Sequence, residues 1–521
     1  MTAMRCLVLT SLVSAAFALS EDDGKTYWME QAQQTLRNAI LQRHNMKVAK
    51  NVILLLGDGM GVSTVTAARI YKGQKAGQTG EETQLNFEKW PHVALSKTYN
   101  TDRQVPDSAG TATAYLCGAK ANYATLGVDS RVARGDCSNI GDTDTHTTSI
   151  LDWSLAAGKS VGLVTTARVT HATPGAGYAH TPDRNWETDK DVPDSCPGVK
   201  DIAYQLLKDN ADIHVMLGGG RREFYNRKDG RKLPEEWLAE KQEKGLSAKY
   251  VQNATAFRAV SAADTDYLLG LFAESHMTYE LSRDNSEEPS LSEMTRKAIE
   301  ILQRNKKGFF LLVEGGRIDH GHHDNYAKLA LEETVAFDDA VAVAMEMTGD
   351  DTLLVVTADH SHVFNIAGYA SRGNNILGVV DKVDPGQEPT DNLPYTTLVY
   401  GNGPGPGREQ NVSAVDTTAD DYRFQRVVPF QPEWETHGGE DVGIYATGPM
   451  SHLFHGVHEQ NYIAHVMAYA SCVGPNNKHC ENPEDEYSCS GATAVVNCAV
   501  YVHMIIIPMV VKMLAKIMHT M

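Results

Sequence analysis

Five short apolar runs constrain this chain more than any other feature: NVILLLG (51–57), SVGLVTT (160–166), DIHVMLGGG (212–220), GFFLLVEGG (308–316) and TLLVVTADH (352–360). Their apolar character is continuous rather than alternating, and turn-forming residues bound each one. A strand of that kind is buried on both faces. Helical stretches such as 293–305 and 327–347 lie between the runs. Strand and helix in alternation predict an α/β fold with a doubly wound, mostly parallel central sheet flanked by helices. Ligands in such sheets bind beyond the carboxyl ends of the strands.

The 521 residues allow one large α/β unit or two to four domains. With 47 basic against 66 acidic residues the net charge is −19, which argues against a nucleic-acid partner, since such a partner needs a basic face. Residues 1–20 read as a signal peptide, with Arg5 ahead of an apolar run and Ala18-Leu19-Ser20 as the small-residue exit. Residues 21–45 predict an amphipathic helix outside the alternation, and 46–487 a catalytic domain. Within that domain, 366–432 carry GNGPGPG and read as an inserted, crown-like surface subdomain. At the other end, Ser488-Cys489-Ser490-Gly491 precede an apolar tail, so 488–521 predict a glycolipid (GPI)-anchor signal whose tail is removed. A retained membrane helix flanked by Lys512 and Lys516 is the rival reading.

Secretion changes how the cysteines read. Cys6 leaves with the signal peptide and Cys498 with the tail. In an oxidising compartment Cys137/Cys196 and Cys472/Cys480 are candidate disulfides, although spacing alone leaves the connectivity open. Cys117, in the apolar stretch YLCGAK, reads as a buried free thiol. The sequons at Asn253 and Asn411 suit a glycosylated ectodomain on the extracellular face of the cell membrane.

The residues just past the strands carry the chemistry. Asp58 follows NVILLLG, His171 and Thr173 follow SVGLVTTARVT, Glu314 follows GFFLLV with Asp319, His320, His322 and His323 close behind, and Asp359, His360 and His362 follow TLLVVTA. One such acid is an ordinary helix cap. The set, with Asp319 and His323 spaced i, i+4, points to a multinuclear metal site in which mixed Asp/His ligands suit zinc and all-oxygen ligands suit magnesium. The stretch QVPDSAGTATAY (104–115) then offers Ser108 as a nucleophile that a coordinated metal activates, since no G-x-S-x-G elbow is present. Two ions about 4 Å apart suit phosphoryl transfer, and Arg184 in AHTPDRNW could grip the phosphate.

With GDGMG, VPDSAGTATAY, VEGGRIDHGHH, VTADHSH and ETHGGEDV in this order, the chain resembles the animal, vertebrate-type, membrane-anchored alkaline phosphatases over about 27–480. The resemblance implies hydrolysis of phosphate monoesters through a phosphoserine at Ser108, with two Zn²⁺ and one Mg²⁺. It implies one zinc held by Asp319, His323 and His437, and a second by Asp58, Asp359, His360 and the Ser108 oxygen. Magnesium would share Asp58 and add Thr173 and Glu314, while Arg184 holds the phosphate. Asp107, His171 and His320 would orient this apparatus. Tyr369 would approach a neighbouring subunit's site, implying a homodimer. Phe272-Ala273, where the family pattern has Phe-Glu, Glu288 in place of an aspartate, and a shortened stretch after LGGGRREF argue against a fourth, calcium-type ion. A sulfatase would need a C/S-x-P-x-R context that PDSAGTA lacks. A diesterase would lack the magnesium set, and a catalytically dead adhesion receptor would not keep every ligand.

Overall fold

The computed structural model describes residues 24–481, apart from 383, 384, 387, 390, 407–412 and 425–433. The signal peptide, the anchor signal with Cys489, and the sequon at Asn411 lie outside the described residues. The chain divides into two units, 1–44 and 45–521. Among its described residues the first is a helix, Lys25–Leu41, with no buried side chain.

Among its described residues the second unit has fourteen strands. They are β1 (Asn51–Gly57), β2 (His92–Lys97), β3 (Ser160–Arg168), β4 (Val215–Gly219), β5 (Ala248–Val251), β6 (Tyr267–Leu271) and β7 (Phe309–Gly315), followed by β8 (Thr352–Ala358), β9 (Ser361–His362), β10 (Phe364–Ile366), β11 (Leu398–Tyr400), β12 (His437–Gly438), β13 (Val442–Thr447) and β14 (Gly456–Glu459). Ten form one sheet in the order β14-β2-β13-β8-β1-β7-β3-β4-β6-β5. Only β13 runs antiparallel to its neighbours, β8 and β2. The doubly wound, mostly parallel sheet expected from the five runs is the observed architecture.

The runs lack alternation because the sheet has a core on each side. Ile53 and Leu55 of β1, with Phe309, Leu311 and Val313 of β7, pack against Met294 and Ala298 of helix Leu291–Leu302 and against Phe337 and Val341 of helix Ala327–Met347. Val52, Leu54 and Leu56, with Phe310 and Leu312, join the other core, where helices Ser108–Cys117 and Tyr462–Ser471 supply Ala112, Tyr115, Ile463 and Met467. Successive side chains of a strand point to opposite faces, and here both faces are dry.

Helix boundaries follow local chemistry. The helix expected over 293–305 starts at Leu291, because Ser290 and Glu293 close a capping box, and it ends at Leu302. Asn305 instead donates its side-chain amide to Gly158 O at 3.0 Å. The helix over 327–347 is as expected. Strand β2 escapes the run criterion because its burial alternates. In the segment 366–432, Ile376, Leu377, Leu398, Tyr400, Tyr422 and Phe424 belong to the first of the two cores. Disulfides join Cys137 to Cys196 and Cys472 to Cys480, and Cys117 is free and buried.

Leu54 is fully buried in the central strand. Leu54→Ala is expected to cost about 2–5 kcal/mol by urea denaturation.

Candidate metal and phosphate site

Register assembles the site. β3, β7, β1 and β8 are adjacent, and Thr165 pairs with Glu314, Glu314 with Leu56, and Gly57 with Ala358. Asp58 and Asp359, each one residue past its strand, therefore emerge beside Glu314 at the same edge. The antiparallel pair β9/β12 sets His437 opposite His362. Helix Arg317–His323, opening directly after β7, carries Asp319 and His323 one turn apart.

Two groups of ligand atoms result. Asp319 Oδ1 lies 3.3 Å from His323 Nε2 and 3.4 Å from His437 Nε2, and the two imidazole nitrogens are 3.1 Å apart. His360 Nε2 lies 3.1 Å from Asp359 Oδ2, 3.6 Å from Asp58 Oδ1 and 3.2 Å from Ser108 Oγ. Zinc bonds of about 2.0–2.1 Å to N and O ligands put tetrahedral neighbours about 3.3 Å apart, so both groups have the spacing of zinc ligands. Among the described residues, both oxygens of Asp58, Asp359 Oδ2 and Glu314 Oε1 are buried without a hydrogen-bond partner. Orphaned carboxylate oxygens at this depth suit cations and little else.

Burial pushes the Asp58 carboxyl well above the usual range, helped by Asp359, Asp319 and Glu314. It lifts Glu314 to about 7 and Asp359 to about 6. Burial pushes Asp319 upward too, but His323, His362 and the hydrogen bond from His437 outweigh it and hold this carboxyl well below its ordinary value. His323 is lowered to about 4 by burial, so its ring is neutral and ready to coordinate near neutral pH. Glu314 also accepts from Thr165, and the Thr173 hydroxyl lies beside it. With Asp58 these are oxygen donors only, the set that suits magnesium.

Ser108 opens helix Ser108–Cys117 under the cap of Asp107, whose carboxylate accepts from the amides of Ala109, Gly110 and Ala124 at 3.1, 3.2 and 2.8 Å. The same carboxylate accepts from Arg184 Nη1 at 3.0 Å, and Arg184 Nη2 donates to His171 Nε2 at 3.2 Å. Asp107 is thus both a helix cap and the anchor of the arginine. Ser108, Arg184, His171, His320, His323 and His437 line one cleft of about 980 Å³.

Asp58, Ser108, Asp319, His323, Asp359, His360 and His437 are brought together here, with Thr173 and Glu314 beside them. The resemblance assigns no role to two partners: His362, named only as a strand-end histidine, and Glu435, not singled out at all. His362 is buried, sits 2.8 Å from Asp319 Oδ1 through one ring nitrogen and bonds Glu435 through the other. The doubled histidines of TADHSH hinted at the first; Glu435 gave no signal beyond its place in ETHGG. His322 turns away from the ligand sets to Thr64 and Tyr400, each at hydrogen-bond distance. Glu288, where the family's fourth-ion pattern has an aspartate, spends both oxygens on Thr278. The sequon residue Asn253 is exposed and caps helix Ala254–Arg258.

A sequence profile described as alkaline phosphatase matches residues 49–473. The chain is 52% identical over 499 residues to the rat (Rattus norvegicus) alkaline phosphatase, tissue-nonspecific isozyme, covering 91% of this chain and 94% of that protein. It is 44% identical over 498 residues to the membrane-bound alkaline phosphatase of Bombyx mori, covering 90% and 89%. The crystal structure of Thermus thermophilus alkaline phosphatase superimposes with a TM-score of 0.61 at 25% identity, over 82% of this chain and 92% of that one.

A Cβ on Gly59, whose φ is +69°, would stand 2.4 Å from His362 Nε2 and 3.1 Å from the Asp319 Cα. Gly59→Ala is therefore expected to weaken zinc binding roughly 10–100-fold in chelator competition, the usual effect of losing a partner behind a ligand. Because Glu314 and Asp359 hold protons up to about 7 and about 6 in the metal-free chain, and a coordinating carboxylate must shed its proton, metal affinity falls as pH drops through that window. Titrating zinc and magnesium into chelated protein with an indicator dye is expected to release more protons at pH ~6 than at pH ~8.

Proposed function

The chain belongs to the alkaline phosphatase family and is a metal-dependent phosphate monoester hydrolase; from that premise we propose that it works through a phosphoserine at Ser108, with two zinc ions and one magnesium. The observation that carries this reading is Ser108 Oγ, 3.2 Å from His360 Nε2 and within the second ligand group. The proposed holders are Asp319, His323 and His437 for one zinc, Asp58, Asp359, His360 and Ser108 for the other, and Asp58, Thr173 and Glu314 for magnesium. When bound, the ions supply positive charge that lowers the pKa of a hydroxyl and stabilises attacking and leaving oxygens.

The chain's own groups do the rest. Arg184 grips the phosphate through the face of its guanidinium that Asp107 and His171 leave open, and Asp107 fixes its orientation. The amides at the start of helix Ser108–Cys117 favour an anion there. Ser108 Oγ gives up its proton to water and bonds to phosphorus as the bond from phosphorus to the leaving oxygen breaks. The alcohol leaves after taking a proton from water. A water molecule then attacks the phosphoserine, the phosphorus–Oγ bond breaks, and Ser108 regains its proton as phosphate departs.

We extend the same reading to assembly and location. Tyr369 is 71% exposed, which suits an approach to a second copy in a homodimer. No helix among the described residues is long and apolar enough to cross a membrane. Attachment is assigned, on the small residues and apolar tail of 488–521, to a GPI signal placing the chain on the extracellular face, with Asn253 and Asn411 glycosylated.

Ser108→Ala is expected to lower kcat for an aryl phosphate monoester by about 10³-fold or more while metal content is retained, and to abolish the phosphopeptide trapped from substrate at acid pH. A mutant with full monoester hydrolysis would overturn Ser108 as the acceptor.

A further inference from the structure

His171, His276 and His320 come from three separate places: the loop after β3, the loop after β6 and helix Arg317–His323. Each offers a ring nitrogen within 4.8 Å of the other two. The ring centroids are 4.2 Å apart for His276 and His320, 5.0 Å for His171 and His276, and 5.6 Å for His171 and His320. None of the three is in either zinc ligand group. His171 and His320 line the cleft of about 980 Å³, so an ion has a way in.

Each ring also meets a guanidinium. Arg184 Nη2 is 3.2 Å from His171 Nε2, Arg317 Nη1 is 3.0 Å from His320 Nδ1, and Arg168 Nη1 bonds His276 Nε2. A guanidinium only donates, so the rings accept and are neutral. Neutral imidazole is the form that ligates zinc, and three imidazoles with a fourth position open to solvent make a familiar zinc donor set. Every arginine has a second partner: Arg184 bonds Asp107 at 3.0 Å, Arg168 bonds Glu187 at 2.7 Å, and Arg317 lies 3.7 Å from the centre of the Tyr279 ring. The rings can therefore turn to a metal without leaving a guanidinium alone. His171 Nδ1 is buried and without a hydrogen-bond partner.

We propose that His171, His276 and His320 form a third zinc site, separate from the two catalytic zinc positions and the magnesium position, whose filling weakens the grip on phosphate. A neutral imidazole has one lone pair. Once His171 gives it to zinc, the remaining ring nitrogen carries hydrogen and no longer accepts from Arg184. Zinc in this site and the Arg184–His171 hydrogen bond are mutually exclusive. Arg184 is then held by Asp107 alone, and rising zinc acts as a brake on substrate binding.

The test uses the full enzyme with saturating magnesium, so that zinc does not enter the magnesium position. Zinc per chain is counted by elemental analysis over a zinc titration, and KM and kcat are followed for a phosphate monoester. Wild type is expected to take up a third zinc, with a severalfold rise in KM and little change in kcat. His276→Asn, checked for an unchanged melting temperature, is expected to stop at two zinc ions and to keep its low-zinc KM throughout. A wild-type enzyme that stops at two overturns the site whatever the variant does. A third zinc with the same rise in KM in His276→Asn overturns it equally.

Discussion

Asp58, Glu314, Asp319 and Asp359 bring four carboxylates into a bed at the carboxyl edge of the sheet, and all four side chains are buried. Removing an ion from water costs several kcal/mol even after relaxation, and like charges at this range add to that. The surrounding structure divides the load unevenly. Asp319 lies among His323, His362 and His437 and remains ionised. At Asp58, Glu314 and Asp359 burial outweighs the partners present, and their carboxyls are driven upward. A fold that buries this many acids at one sheet edge is built around cations, and the phosphatase chemistry depends on that choice.

The phosphate end of the cleft rests on economy of contacts. One carboxylate, Asp107, starts helix Ser108–Cys117, accepts the Ala124 amide and fixes Arg184. Ser108, the helix amides and the guanidinium are thereby set by a single side chain. Small residues after Ser108 let that helix lie fully buried against the sheet, with Ala109, Ala112 and Tyr115 in the core. The position of Ser108 is accordingly a property of the core packing as much as of the metal bed.

The sheet and the side chains gathered at its edge were legible in the sequence for one reason. Strands buried on both faces leave unbroken apolar runs, and any acid or imidazole just past such a run must lie at the sheet's carboxyl edge. That argument reaches Asp58, Glu314, Asp319, Asp359 and His360. It does not reach His437, which enters on the two-residue strand β12 and is placed by resemblance to the family motif. Glu435 and His276 stay hidden because they come from loops without periodicity. His322 shows the opposite failure: adjacent histidines on a helix point about 100° apart, so only one of the pair can face the ions. Strand β2 goes unseen because one of its faces is wet and its pattern alternates.

The most direct test of the central claim, that these strand-end ligands hold a zinc pair flanking Ser108, is a crystal structure of the zinc- and magnesium-loaded enzyme with anomalous data collected at the zinc edge. The account predicts two strong peaks about 4 Å apart, one among Asp319, His323 and His437 and one among Asp58, Asp359 and His360, with Ser108 Oγ beside the second. A single peak, or zinc bound away from these residues, would contradict it.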